Sequence, residues 1–537
     1  MNAHNLRLLA ATLAAHVAFS STALQAQTDD WTNGGNDSSW SNTANWSAGV
    51  PVAATQVVIA TQPSVEPFYR SSTILEDTGN VSGDNIASLT FNSGLTPMQI
   101  ALGTGVESLF VNGAINNQSA SAVNFNLPMS AGKAVPGSVA SVTYAGGISS
   151  TGTLTGGSLN FGFNLDLQGF AVTMTGIDTV MAVTSGPASS LLNDSIGGGT
   201  LTVGTAVTSG TVTLKGNNTF GTTNGATPLV GSAVTIVNGT LSVPTLAAVG
   251  TAQPLGLAST VTLAGASTSA PAILQYTGTT AATLAQNVTV STGDVGTISN
   301  IGGNILTLGG TIRNGSGLSF TSGTFKLAGS MTGTGSTTVS GGGTLLVDSG
   351  SFTALGPVNV ASTGALGGSG TIRASSVTSS AAVNVASGAT LDQSAVSSDR
   401  GTSTLIVDLN PGEAVNLAQG SKYDFDLGAS GVSDQVIVQD GAVDLNGQNF
   451  SDFTFTTLSG FTGTGTYDLI VTDTSGDLQG SLADTTGIID GDLATLSVLN
   501  SEDLVLTIAA PEPSTWALLL GGFSLLTFWR VRQGRVN

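Results

Sequence analysis

The sequence contains no cysteine and only two histidines, His4 and His16. Both histidines lie in an N-terminal stretch that has the features of a secretion signal, so the mature chain is expected to lack both residue types. Their absence excludes disulfides, cysteine nucleophiles, histidine-dependent triads and the usual His/Cys zinc sites. The fold is therefore expected to depend on hydrogen-bonded sheet and on apolar stacking.

Charged residues are also scarce and of one sign. Only 8% of residues are charged, the formal net charge is −20, and the pI is near 4.1. Nucleic acid is excluded as a partner, because its phosphates require basic patches. Of the 32 Asp and Glu residues, 18 fall between residues 391 and 510, which leaves residues 79–390 nearly uncharged. A hydrophobic content of 40% and a mean hydropathy of +0.30 oppose disorder and suit a stacked β-sheet.

The N-terminus has the pattern of an export signal. Arg7 is followed by an apolar stretch from Leu8 to Phe19, and Ala23 and Ala26 are the two candidate cleavage positions. We predict a signal peptide over residues 1–26, with signal peptidase and the secretion machinery as partners. An uncleaved anchor is the alternative, although the apolar stretch is short for a membrane span.

From about residue 79, short β-branched runs alternate with Gly, Asn and Ser turns, and no amphipathic helix is found. A run that begins at Val234 recurs at Thr337, Val358 and Val383. The short intervals between the last three are typical of one coil of a parallel β-solenoid, whereas a propeller blade has ~40–50 residues. We predict an all-β fold over 79–400, with the four runs on equivalent parallel strands and an average coil of roughly 20 residues.

The regions that flank these repeats predict two caps. Trp31, Trp40 and Trp46 lie in residues 27–78, where they are expected to plug the apolar end of the solenoid; an aromatic platform for a sugar is the alternative. In residues 401–510 the strands lengthen, and aspartates fall at their ends or on one face. This pattern predicts an acidic β-cap over the last coil, which protects the open sheet edge.

Several segments carry a family resemblance. Residues 214–220 (Leu-Lys-Gly-Asn-Asn-Thr-Phe), the strand at 239–243 and the segment 366–372 resemble autotransporter-associated β-strand repeats. The tryptophan-rich opening is similar to the cap often found before such repeats. The resemblance implies a right-handed parallel β-helix over most of residues 80–400.

The C-terminus combines three elements in a fixed order. The motif Pro511-Glu512-Pro513-Ser514-Thr515 leads into an apolar run that ends at Trp529, and Arg530, Arg532 and Arg535 follow. Prolines on both sides of a glutamate keep the backbone extended and accessible. The apolar run predicts a short transmembrane helix over 514–529, and the basic tail, 530–537, is expected to stay in the cytoplasm.

This tail, residues 511–537, resembles the PEP-CTERM sorting signal of Gram-negative bacteria. The resemblance implies that an exosortase cleaves at residues 511–513 and releases or re-attaches the protein outside the cell. The inner membrane would then hold only the precursor, and the family's setting implies exopolysaccharide as a partner. An ordinary anchor that is never cut is the alternative.

The acidic residues are the candidates for catalytic and metal-binding groups. Some β-helices cleave polysaccharides with paired carboxylates, but residues 79–390 offer only scattered acids, so no catalytic residue and no cofactor are predicted. The scattered acids are Asp84, Glu107, Asp166, Asp178, Asp194, Asp294 and Asp348. Five aspartates close together in sequence are candidate calcium ligands, because calcium prefers oxygen donors. They are Asp424, Asp426, Asp434, Asp440 and Asp444, but no calcium motif contains them, so a solvated acidic face is expected.

The sequence thus predicts an exported, non-enzymatic β-solenoid that serves as a structural protein at the cell surface or in the extracellular matrix. A glycan-binding adhesin on the same scaffold is one alternative, and an exposed aromatic row beside a polar ladder would indicate it. A polysaccharide lyase or hydrolase is another, and a groove with at least two facing carboxylates would indicate it.

Overall fold

The computed structural model divides the chain into two compact units, one of residues 1–202 and 210–227 and the other of residues 203–209 and 228–537. The predicted signal peptide, with Ala23 and Ala26, lies outside the described residues, as does the segment 511–514. The structure describes residues 27–52, 55–63, 65–66, 71–76, 84–102, 109–127, 129–130, 141–146, 158–161, 165–167, 171–180, 192–193, 198–223, 227–229, 231–348, 350–375, 381–392, 401–474, 477–509 and 515–533.

The described part of the first unit consists of short strands and turns, with one 3-10 helix at Thr43–Asn45. Its strands are β1 Thr28–Trp31, β2 Gln56–Ile59, β3 Val65–Glu66, β4 Ser71–Glu76, β5 Asp84–Ile86, β6 Ser88–Phe91, β7 Met98–Leu102, β8 Leu109–Val111, β9 Ile115–Asn117, β10 Val123–Asn126, β11 Met129–Ser130, β12 Ser141–Gly146, β13 Leu159–Phe161, β14 Leu165–Asp166, β15 Ala171–Val180, β16 Leu192–Asn193, β17 Thr200–Val203, which ends at the unit boundary, and β18 Gly210–Leu214.

The described strands of the first unit form three parallel ladders. One contains β1, β2, β6, β9, β12 and the first half of β15. The second contains β4, β7, β10, β13, the second half of β15 and β18, and the third contains β5, β8, β11, β14 and β16. In the first ladder Trp31, Ile59 and Phe91 are in register and fully buried. Because side chains alternate along a strand, such matched registers build an apolar column inside each coil.

The second unit repeats the same plan and ends in a helix, α1, Thr515–Gln533. A second 3-10 helix covers Phe450–Asp452. The strands are β19 Ser232–Ile236, β20 Gly239–Val243, β21 Thr260–Leu263, β22 Ala272–Tyr276, β23 Ala282–Leu284, β24 Asn287–Val290, β25 Val295–Asn300, β26 Leu306–Leu308, β27 Ile312–Asn314, β28 Gly317–Leu327, β29 Ser330–Gly333, β30 Ser336–Val347, β31 Ser351–Ala354, β32 Val358–Val360, β33 Ala365–Gly367, β34 Thr371–Ala374, β35 Ala381–Val385, β36 Thr390–Asp392, β37 Thr404–Asp408, β38 Ala414–Leu417, β39 Lys422–Leu427, β40 Gln435–Gln439, β41 Ala442–Asp444, β42 Gln448–Asn449, β43 Phe453–Thr457, β44 Gly465–Thr472, β45 Leu478–Gln479, β46 Leu482–Asp484, β47 Thr486–Ile489, β48 Asp492–Leu499 and β49 Asp503–Ala509.

Most described strands of the second unit lie on three parallel ladders, which the chain visits in turn. Ladder A contains β19, β21, β24, β27, β29, β31, β34, β37, β40 and β44. Ladder B contains β20, β22, β25, the first halves of β28 and β30, β32, β35, β38, β41 and β45. Ladder C contains β23, β26, the second halves of β28 and β30, β33, β36, β39 and β43.

The registers confirm part of the repeat prediction. Thr337, Val358 and Val383 are aligned on ladder B, as predicted. The prediction was wrong for Val234, which lies on ladder A beside Val261. For most successive strands of ladder A, the paired positions are separated by more residues than the predicted average coil contains. The separation between Ile372 and Val407 is the longest. The same apolar-polar run forms a strand on any face of a coil, so the pattern alone does not identify the face.

Parallel pairing continues beyond residue 400, where the sequence predicted a separate cap. Strands β37 to β41 extend ladders A, B and C without interruption. Among the strands after residue 400, antiparallel strand pairs begin at Gly465, where β44 pairs with β49, and β48 pairs with both β47 and β49. The antiparallel strands therefore begin within the predicted cap, residues 401–510, where β45 and β46 still pair in parallel with β41 and β42.

Candidate functional site

The C-terminal apolar run is helical, as predicted for this segment. Helix α1 begins at Thr515, the last residue of the predicted sorting motif, and continues through Arg530 and Arg532 to Gln533. Cations are favourable in the last turn of a helix, because the carbonyl groups there carry partial negative charge. Of the other tail residues singled out from the sequence, Pro511, Glu512, Pro513, Ser514 and Arg535 lie outside the described residues.

The described surface of α1 is strongly apolar. Five large side chains are 61–72% exposed, and they are those of Phe523, Leu525, Leu526, Phe528 and Trp529. The hydroxyl of Thr527 donates within the helix to the carbonyl groups of Phe523 and Ser524, at 2.8 and 3.0 Å. An apolar patch of this kind is typical of a surface that contacts lipid or another protein. Within the described residues, no helix combines the length and apolarity that a membrane crossing requires.

Two of the five candidate calcium ligands, Asp426 and Asp434, come together in the second unit. Both are fully buried. One carboxylate oxygen of Asp434 accepts the backbone N–H of Asp426 at 2.8 Å. The other accepts the N–H of Ser403 at 2.6 Å and its hydroxyl at 3.2 Å. Asp434 therefore ties β39 to the turn before β37, whereas the sequence placed it on a solvated face.

The environment of Asp434 disfavours its charge. Burial raises the pKa of Asp434 from 3.8 to about 6, because the ionised form loses its hydration. The N–H donors of Asp426 and Ser403 act against this rise, and the nearby Asp426 carboxyl adds to it. A group whose pKa is higher in the folded state than in the unfolded state stabilises the fold when it is protonated.

Asp434→Asn is expected to change how stability depends on pH. The protonated Asp434 side chain contributes to the free energy of unfolding. This contribution is fully present below about pH 3.8 and is lost as the pH rises through about 6. The melting temperature of the variant relative to wild type should therefore increase between pH 4 and pH 7.5. Asp440→Asn, which changes an exposed carboxyl on a turn, is the control and should leave the pH profile unchanged. Parallel profiles for Asp434→Asn and wild type would contradict the assignment.

The remaining candidate ligands lie elsewhere in the second unit. Asp424 is on β39, in register with Asp392. Asp440 and Asp444 line an open groove of about 600 Å³ together with Glu413 and Asp477. Among the described residues, no group of three acidic side chains is arranged to hold a metal ion.

The groove carboxylates take part in local turns. Glu413 accepts the N–H of Asn410 at 2.9 Å, and Asp444 accepts the N–H of Asn446 at 3.2 Å. Asp440 has a positive φ of 59° and donates its own N–H to Asp473 at 3.1 Å. The groove is nevertheless lined by four acidic residues, a feature that the sequence did not predict. Glu413 and Asp477 are far apart in the sequence, so their proximity arises from coil stacking.

The isolated acids of residues 79–390 remain dispersed where they are described. Asp348 forms an ion pair with Lys326 at 2.7 Å. Asp84, Asp166 and Asp178 lie on three different strands, β5, β14 and β15, and Asp294 follows a turn. Glu107 and Asp194 lie outside the described residues.

The three tryptophans of the first unit form one buried cluster. Trp31 and Trp40 are fully buried and Trp46 is 5% exposed, with ring centroids 5.0 and 4.8 Å apart in edge-to-face geometry. Trp46 donates its indole N–H to the carbonyl of Trp40 at 2.7 Å, and the amide of Asn45 is bonded to Asp37 at 2.6 Å. Enclosed indoles present no open ring face to a sugar, so this geometry suits an apolar plug. No Trp, Tyr or Phe is exposed among the side chains that the structure describes before residue 510.

A column of asparagines runs along ladder B. Asn359, Asn384 and Asn416 occupy equivalent positions on β32, β35 and β38. Their amides are hydrogen-bonded in series at 3.2 and 3.5 Å, and Asn446 continues the series at 2.8 Å. The sequence contained a pattern that could have predicted this column, because each of the three strand asparagines lies between two apolar residues. Such amide ladders stabilise stacking and leave a regular polar surface.

No known protein-family model matches the chain, and no curated protein is significantly similar to it.

Proposed function

We propose that this chain is an exported, non-enzymatic, right-handed β-solenoid that serves as a structural protein at the surface or in the extracellular matrix of a Gram-negative bacterium. Stacked parallel ladders give a regular scaffold, and the near absence of charge over residues 79–390 leaves few groups for catalysis. The segment 1–26 would direct export through the secretion machinery, and signal peptidase would remove it by cutting after Ala23 or Ala26.

The C-terminal tail is proposed to be a PEP-CTERM sorting signal. The observation that carries this proposal is the exposed apolar surface of α1, which follows Pro511-Glu512-Pro513 and ends in arginines. In the precursor, the exposed apolar side chains of α1 would hold the chain at the inner membrane as a transient anchor, with Arg530, Arg532 and Arg535 toward the cytoplasm. An exosortase would then cut at the extended, proline-bounded motif outside the membrane and free the β-structure from α1.

Intact-mass analysis of cell-associated and extracellular protein tests this proposal. The precursor should retain Trp529 and the arginines that follow it, and the extracellular form should end at or beside residues 511–513 and so lack Trp529. The N-terminus of both forms should follow Ala23 or Ala26. An extracellular form that retains α1 would show that the tail is an ordinary anchor or a packed helix.

Polysaccharide cleavage is the second candidate function, because four carboxylates line one groove in the second unit. A glycosidase uses one carboxyl as an acid and another as a base or nucleophile. Glu413→Gln and Asp477→Asn should each abolish any hydrolysis of acidic or neutral polysaccharide by the purified chain. Unchanged hydrolysis in both variants would exclude the groove as the active site.

A further inference from the structure

Ladder A has a regular hydroxyl column on its outer face. Thr235, Thr262, Thr289, Thr332 and Thr353 occupy equivalent outward positions, and Arg313 and Arg373 occupy two further positions of the same column. Neighbouring strands of a ladder are ~4.8 Å apart, so the column offers a polar group at each ~4.8 Å step. The two arginines are three steps apart, or roughly 14 Å.

Arg313 lies in an open cleft on this face. It is exposed, and its register neighbours on the adjacent strands are Thr289 and Thr332. The cleft has a volume of about 520 Å³, and Thr292, Thr311 and Thr334 contribute to its lining. No carboxylate is among the lining residues. Within the described part of the chain, Arg313 forms no ion pair.

The surrounding charge favours an anion at Arg313. Between residues 228 and 375 the chain has two acidic and three basic residues, although the whole chain has a net charge of −20. Lys326 is paired with Asp348, and Arg373 is paired with Asp408 at 2.9 Å. The cleft is therefore a local positive site on a surface of hydroxyl groups.

We propose that the Arg313 cleft binds a carboxylate of an acidic polysaccharide whose chain extends from the cleft along Thr289, Thr262 and Thr235, away from Arg373. A guanidinium has a planar fork of donors that matches a carboxylate. Threonine hydroxyls both donate and accept, which suits the hydroxyl groups of sugars. A linear polymer fits because the column continues from the cleft through three successive threonines. The inference rests on the proposed surface location for its biological setting.

The test measures binding of the full chain, in mild detergent, to polygalacturonate and to neutral dextran. Wild type should bind polygalacturonate and not dextran. Arg313→Gln should weaken binding about tenfold, which is the expected effect of one lost charge-assisted contact. Arg373→Gln is the matched control on the same column. Because Asp408 already neutralises Arg373, the affinity of this variant for polygalacturonate should stay within about twofold of wild type. Arg313→Lys should recover part of the affinity, because it keeps the charge without the fork.

Three results would overturn the proposal. They are equal binding of dextran and polygalacturonate, equal weakening by the two arginine-to-glutamine variants, and complete displacement of polygalacturonate by sulfate at matched ionic strength. The last would identify a simple anion site. Melting temperatures of the variants should match wild type, because both arginines are exposed. Failure of these assays would leave the sorting proposal intact, since that is decided by the mass of the released protein.

Discussion

Replacing both Pro511 and Pro513 with alanine is expected to trap the full-length chain in the inner-membrane fraction and to abolish its extracellular form. Two prolines restrict the backbone on either side of Glu512 to extended conformations, which a protease cleft can accept. Alanines would allow α1 to extend upstream from Thr515, because alanine is the best helix former. Cell fractionation followed by intact-mass analysis would measure the effect.

Pro411→Ala is a matched control for loss of proline itself. Pro411 lies in an exposed turn of the second unit, so its substitution should leave processing unchanged. A double tail variant that is released at the wild-type rate, with the wild-type C-terminus, would contradict recognition of the proline motif. Release of a form that still contains Trp529 would contradict the sorting proposal as a whole.

The repeat architecture could be predicted because its cause is local. Alternation of apolar and threonine residues fixes which side of each strand faces inward, and glycine or asparagine at the turns sets the length of each run. These signals predicted the alignment of Thr337, Val358 and Val383 on one ladder. They did not distinguish the ladders from one another, since the run at Val234 has the same pattern on ladder A.

The sites could not be predicted to the same extent, because they depend on which strands become neighbours. The alternation along β39 makes Asp426 look solvent-facing, yet the side chain is fully buried beside Asp434. A single antiparallel bridge between Leu427 and Ser433 brings the two aspartates together. Likewise, Arg373 is paired with Asp408 only because one complete coil separates their strands, which no short motif specifies.

Phe325→Ala is expected to cause a large loss of stability in the second unit, about 3–5 kcal/mol. Phe325 is fully buried, lies in register between Leu306 and Leu345 on ladder C, and packs on Phe320 with ring centroids 5.3 Å apart. Its removal leaves a cavity in the apolar column, and neighbouring coils cannot collapse into it, because hydrogen bonds between strands fix their spacing. Urea unfolding followed by circular dichroism should show a lower midpoint.

Lys326→Ala is the matched control, because Lys326 is the next residue on the same strand and faces the opposite side. Its ion pair with Asp348 is partly exposed to solvent, so its loss should cost less than about 1 kcal/mol. The ratio of the two effects measures how far stability depends on the inward column rather than on the outer face. Equal losses from the two substitutions would mean that the outer polar columns contribute as much to coil stacking as the buried aromatic residues do.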